Sequence, residues 1–156
     1  MKLGRLDVQV TGTRVVMVGR IDDGCQLGEF APQLPAGALT IDTDGVTFVN
    51  SIGMREWIRL LRALRERGGV TLERVADVLM TQMNLLPEMA GVEIASFHAQ
   101  YACNKCGAEA APVVDAVANR AELAAMRAPK LPCPECGTLM ELADFPERYL
   151  SIFRGR

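Results

Sequence analysis

Residues 47–68, Thr47-Phe48-Val49-Asn50-Ser51-Ile52-Gly53-Met54-Arg55-Glu56-Trp57-Ile58-Arg59-Leu60-Leu61-Arg62-Ala63-Leu64-Arg65-Glu66-Arg67-Gly68, decide the fold. An apolar run, Val46 to Val49, stops at two small polar residues, and an amphipathic pattern begins at once. Met54, Trp57, Ile58, Leu61 and Leu64 share one face at helical spacing, while Arg55, Arg59, Arg62 and Glu66 share the other. A strand therefore feeds a helix that lies on a sheet. Asn50 or Ser51 is placed to cap the first free amides, and Gly68-Gly69 supplies the left-handed backbone that ends the helix.

On the N-terminal side, Leu6 to Val10 alternates with period two, Thr11-Gly12-Thr13 has turn composition, and Arg14 to Val18 resumes, which reads as a hairpin. Residues 19–24 are loop. Cys25 to Leu34 is expected to hold a short helix between loop and proline. Ala38 to Asp42 reads as a strand, Asp44-Gly45 as a tight turn, and Val46 to Val49 as the next strand.

Beyond Gly69, Val70 to Val75 is strand-like, Ala76 to Leu86 has helical spacing up to Pro87, and Val92 to Tyr101 alternates again. Strand, helix and strand, twice over, argue for parallel neighbours in an α/β fold. From residue 102 that rhythm stops, and the boundary is set near Gln100: a domain over 1–100 and a smaller one over 101–156. Alanine-rich 112–127 is expected to be a helix, Thr138 to Leu142 a strand, and Phe145 to Phe153 a partly helical tail.

Four of the five cysteines lie in this second part. Cys103-Asn104-Lys105-Cys106-Gly107 and Cys133-Pro134-Glu135-Cys136-Gly137 are matched turns. Each aims two sulfurs at one point, and its glycine lets backbone amides face the thiolates. Together they predict a four-cysteine site for structural zinc at Cys103, Cys106, Cys133 and Cys136. Closing the 26-residue gap between the pairs costs roughly 3 kcal/mol of chain entropy, against roughly 10–16 kcal/mol from zinc. A redox pair would use one such turn at a helix start, and disulfides fit a chain with an export signal. Four thiolates leave no ligand position for an activated water. Cys25 reads as a small buried or partly exposed side chain, and His98, five residues before Cys103, as an ordinary strand histidine, the alternative being that it approaches the metal. No nucleophile–base pair or phosphate-cradling loop is visible.

The formal charge is −2, with 10 basic and 12 acidic residues through position 100 and seven of each beyond it. That balance counts against an electrostatic grip on nucleic acid. No apolar run reaches the roughly 20 residues of a membrane span. The opening residues enter strand-like sequence directly, so no secretory leader and a cytoplasmic setting are expected.

Val46 to Leu64 resembles the STAS family, the sulfate-transporter and anti-sigma-factor-antagonist modules. Their signature is a strand ending in Asp-Ser-Ser-Gly or Asp-Ser-Thr-Gly followed by an amphipathic helix; here the residues are Asn50-Ser51-Ile52-Gly53. Gly19-Arg20-Ile21-Asp22 is similar to the Gly-x-Ile/Leu-Asp turn of many members. The likeness covers about two thirds of the chain. The cysteine segment is similar to zinc ribbons attached to some bacterial STAS-like proteins, with Leu142 to Leu150 as a similar tail.

This resemblance implies a mixed sheet with helices mainly on one face, and a partner-binding surface at the strand–helix junction. In classical members the second hydroxyl of the signature is phosphorylated by a kinase, which switches binding off. Ile52 stands there and accepts no phosphate. Constitutive docking by Asn50, Ser51, Ile52, Gly53 and Arg55, with Asp22 and Asp23 of the neighbouring loop, is the resulting expectation. The function expected is a non-enzymatic bacterial regulatory or scaffold protein binding a sigma-factor regulatory kinase or a signalling assembly. The competing reading is a transcription-associated zinc-ribbon protein that binds nucleic acid. Oligomeric state is left open.

Overall fold

The structure, a computed structural model, describes residues 1–155. Its centre is a six-stranded sheet whose strands follow sequence order: β1 (Lys2–Leu3), β2 (Leu6–Thr11), β3 (Arg14–Ile21), β4 (Leu39–Val49), β5 (Val70–Glu73) and β6 (Glu93–Ile94). The hairpin strands β2 and β3 are antiparallel, whereas β3, β4, β5 and β6 run parallel, as the strand–helix–strand pattern requires.

Register explains why this sheet is one-sided. Val10, Val15, Ile41, Leu72 and Ile94 stand side by side across five strands, and the adjacent row is Thr11, Arg14, Thr40, Thr71 and Glu93. Apolar and polar rows alternate because successive side chains leave a strand on opposite faces. The apolar face is covered by α1 (Leu27–Phe30) and α2 (Ser51–Arg67). Gly53, Met54, Trp57, Leu60, Leu61 and Leu64 are the buried residues of α2.

Three expectations are corrected. Asp44-Gly45 is no turn, because the chain runs on through it as one 11-residue strand. The register against β3 slips by one residue here, since Val16 faces Asp42 while Val18 faces Gly45. A β-bulge therefore absorbs the irregularity that turn-type residues suggested. A Cβ at Gly45 would lie 2.8 Å from a Val18 methyl, which accounts for the glycine.

The second correction concerns Val92 to Tyr101. Its alternation is real but it serves three sheets: β6 pairs with β5, β7 (Ser96–His98) pairs with β10 (Val113–Asp115), and β8 (Tyr101–Ala102) pairs with β9 (Glu109–Ala110) and β12 (Leu139–Leu142). The last of these sheets is completed by β11 (Leu131–Pro132).

The third is the expected helix over 112–127. Val114 is buried in β10 opposite Phe97, and the Asp115 carboxylate accepts hydrogen bonds from the Val117 and Ala118 amides at 3.0 and 2.9 Å, making a turn. Only α4 (Arg120–Ala124) is helical, and just beyond it Met126 takes a φ of +64°.

Segments on the two sides of Gln100 are interleaved. Val75 bridges Phe97, so β7 and then β10 extend the line of strands beyond β5. Further on, α5 (Pro146–Leu150) contacts α3 (Asp77–Met83), and the Phe153 ring lies 5.2 Å from that of Phe97.

Candidate functional site

Two places carry the residues that the sequence singled out, and the first is built from the cysteine turns. The Cys103 amide donates to the Ala108 carbonyl and the Gly107 amide to the Cys103 carbonyl, at 2.8 and 3.0 Å. The second turn repeats this, Cys133 to Thr138 at 2.8 Å and Gly137 to Cys133 at 2.9 Å. Gly107 and Gly137 sit at φ of +76° and +77°, a region that an L side chain rarely enters.

These turns bring all four sulfurs within 4.8 Å of one another, with Cys103 to Cys136 at 3.5 Å and Cys106 to Cys133 at 3.6 Å. Sulfurs about 2.3 Å from a tetrahedral metal would stand about 3.8 Å apart, so the cluster is a possible metal site. Backbone amides also aim at it, Cys106 toward the Cys103 sulfur at 3.5 Å and Glu135 toward the Cys133 sulfur at 3.4 Å. Without a cation, hydrogen bonds from Thr138 bring the Cys136 thiol down to about 6. Cys106 goes the other way. The lowering hydrogen bond at Ala108 is outweighed by burial and by its sulfur neighbours, which push it up to about 12. Four sulfurs cannot all ionise in so small a space unless a cation joins them.

His98 stays outside this cluster. Its Nε2 lies 2.5 Å from an Asp44 carboxylate oxygen and its Nδ1 lies 2.6 Å from the Ala111 carbonyl, so the ring links the β4 bulge to the segment before β10. Cys25 is buried, and its thiol donates to the Arg20 carbonyl at 3.0 Å.

The second place is the start of α2. Asn50 is its cap, with the side-chain oxygen accepting from the Gly53 amide at 2.8 Å, so Ser51 is left exposed in the first turn rather than capping it. Gly53 is buried. A Cβ there would stand 2.0 Å from the Ile21 carbonyl oxygen, and no side chain fits between the helix start and the end of β3. Ile52 projects outward and is 47% exposed, with Arg55 exposed one turn on. Beside them Asp22 is nearly buried, its carboxylate accepting from the Gly24 amide at 3.0 Å, while Asp23 is exposed. Arg20 stacks 3.8 Å from the Phe48 ring centre. Of the seven expected contact residues, Gly53 and Asp22 shape the loop and helix start, and Asn50 caps the helix. Ser51, Ile52, Arg55 and Asp23 form the outer surface.

Sequence reading missed a charged cluster on the open sheet face. Asp42 is fully buried there, and its carboxylate accepts from Arg14 at 2.6 Å, from Arg74 at 2.6 and 2.9 Å, and from the Asp44 amide at 2.9 Å. Arg14 also pairs with Glu73. A buried carboxylate needs this full set of partners. The alternation Leu39-Thr40-Ile41-Asp42 put the aspartate on the polar side of the strand, and nothing local showed that two distant arginines would enclose it.

Comparison with known proteins returned no matching family model, no matching curated protein and no matching solved structure. No helix among the described residues is long and apolar enough to cross a membrane.

Proposed function

We propose that this chain is a non-catalytic docking module of STAS type that holds a partner protein on the start of α2 and the adjoining 22–24 loop. Ile52 carries the reading. It is exposed in the first turn of a helix that has no acid there. Helix stability favours Asp or Glu at such a place, because the amide ends are positive and unpaired. That apolar side chain, ringed by the exposed Ser51, Arg55 and Asp23, offers the mixed apolar and polar surface that a partner protein covers.

The antiparallel hairpin entering parallel strands, with α2 and α3 packed on the sheet, supports the STAS reading at the level of architecture. So does the placement of Asn50-Ser51-Ile52-Gly53 across a strand end and helix start. With isoleucine where related modules carry a phosphate-accepting hydroxyl, binding is constitutive. The partner fitted by that reading is a bacterial regulatory kinase of the sigma-factor type or a signalling assembly.

The metal is zinc by the chemistry of its donors: four thiolates within 4.8 Å of one another suit an ion that takes tetrahedral sulfur ligation. With every position filled by protein, its role is structural. His98, engaged on both ring nitrogens, is not free to serve as a base. Ile52→Glu tests the docking surface by pull-down from the native cell. Loss of the partners recovered by the wild type, with an unchanged melting temperature, is expected; full recovery rejects the surface.

A further inference from the structure

The outward face of α2 continues beyond its first turn. The helix holds five arginines and two glutamates, a surplus of three positive charges in a chain whose formal total is −2. Two of the five are engaged. Arg59 pairs with Glu56 at 2.7 Å, and Arg67 donates to the Ala31 and Leu34 carbonyls. Arg55, Arg62 and Arg65 are exposed, and among the described residues no carboxylate lies within ion-pairing distance of them.

Folding does not account for this arrangement. Like charges three or four residues apart on a helix repel, and Arg55 stands near the positive end of the dipole, where a cation destabilises. Beside Arg62 and Arg65 a depression of about 370 Å³ opens between α2 and the short helical turn at Pro87–Met89. Ile58, Leu61 and Met89 line its apolar part. Glu66 and Glu88 share its rim without bridging to the arginines.

We infer that this face docks an acidic amphipathic helical segment of a partner protein. Such a segment puts one apolar side chain into the depression, and carboxylates spread over about three helical turns reach Arg55, Arg62 and Arg65. The inference rests on the reading of α2 as partner-facing and names the chemistry of that partner. Nucleic acid fits less well, because an apolar floor and two rim glutamates offer phosphates nothing. A membrane fits less well too, because the apolar side chains lie recessed between basic and acidic rims instead of projecting as a stripe.

The test measures fluorescence anisotropy of a labelled helical peptide of glutamates and leucines at i, i+3 and i+4 spacing, titrated with the full metal-loaded chain. Its lysine-for-glutamate counterpart, a short oligothymidylate and vesicles containing phosphatidylserine serve as competitors of other classes. Saturable binding of the acidic peptide alone is expected, weakened about ten-fold by Arg62→Glu with Arg65→Glu. Arg62→Ala with Arg65→Ala, which introduces no new charge, should weaken it less, each pair melting like the wild type. Equal binding of the lysine peptide, tighter binding of the oligothymidylate or vesicles, or indifference to both arginine pairs overturns the inference. If the peptide ignores the arginines while Ile52→Glu still abolishes partner recovery, the acidic class falls and the docking reading stands. If the arginines matter and Ile52→Glu recovers its partners in full, only the helix-start contact falls.

Discussion

Gly53 and Asn50 do different work within four residues. A methyl at 53 would drive into the Ile21 carbonyl, 2.0 Å away, and backbone on both sides leaves nothing flexible to yield. Gly53→Ala should therefore cost about 1–3 kcal/mol, as overpacking does, and chemical denaturation would read it. Asn50→Ala removes a single capping bond and should cost about 1 kcal/mol, whereas Asn50→Asp keeps the acceptor and should cost little. Equal losses in the two Asn50 variants would mean that the cap at 2.8 Å is not what holds this helix start. Tyr101 supplies a pH test. Burial pushes its phenol up to about 12, and its hydroxyl donates to the Pro129 carbonyl at 2.7 Å. The unfolded phenol ionises near 10, so the native state disfavours the anion: the contribution is complete below pH 10 and is lost as pH climbs toward 12. Thermal melts from pH 9 to 12 should fall more steeply for the wild type than for Tyr101→Phe, by on the order of 2 kcal/mol at the top of the range. Parallel slopes would reject it.

Elements show where local sequence stops being informative. Most of the α2 pattern was legible, because its apolar spacing and its stop at Gly68 are local; Leu60, fully buried, was not on the expected face, and Ile58, which was, is only half-buried. The bulge in β4 was not, since Asp44-Gly45 has turn composition and only the neighbour β3 keeps the chain extended. Val92 to Tyr101 was legible as extended chain, yet a change of pairing partner leaves no mark on alternation. Alanine propensity over 112–127 lost to two particular residues, Val114 packed opposite Phe97 and Asp115 holding two amides. The four-cysteine cluster was readable because ligand spacing is local twice over; the pairing of β10, between the two cysteine turns, with β7 was not. The shortest helix makes the same point. At four residues α1 is too short to persist alone. It is held on α2 by the Glu56 carboxylate, which accepts from the Gly28 amide at 3.1 Å, and by Arg67, which spans the Ala31 and Leu34 carbonyls. Lysine cannot bridge two carbonyls in the fixed fork of a guanidinium. Arg67→Lys should lose about 1–2 kcal/mol and raise amide exchange over residues 27–34 while α2 keeps its protection. Protection lost equally in both helices would mean that they open as one unit.

At the scale of the whole molecule, the metal cluster and the main sheet hold the same piece of chain from two sides. Residues 107–132 leave the cluster at one cysteine turn and return at the other, and between them they supply β10 to the line of strands and the Ala111 carbonyl to His98. A bound ion therefore closes a loop whose middle is already pinned to β7, and each attachment lowers the entropy that the other must overcome. Stripping the ion with a chelator should release that loop first. Amide exchange should rise from Cys103 through Ala118, including the Ala116 amide that donates to the Ala95 carbonyl at 2.9 Å. The amides of β3 and β4, buried in the parallel core, should exchange as slowly as before. Phe97 is the residue through which loosening would spread, since it touches β10, Val75 and the Phe153 ring. Phe97→Leu should therefore weaken the retention of β10 in the chelated protein more than in the loaded one, giving a non-additive pair of effects in exchange protection. Exchange that rises uniformly through β3 and β4 on chelation would instead make cluster and sheet a single cooperative unit.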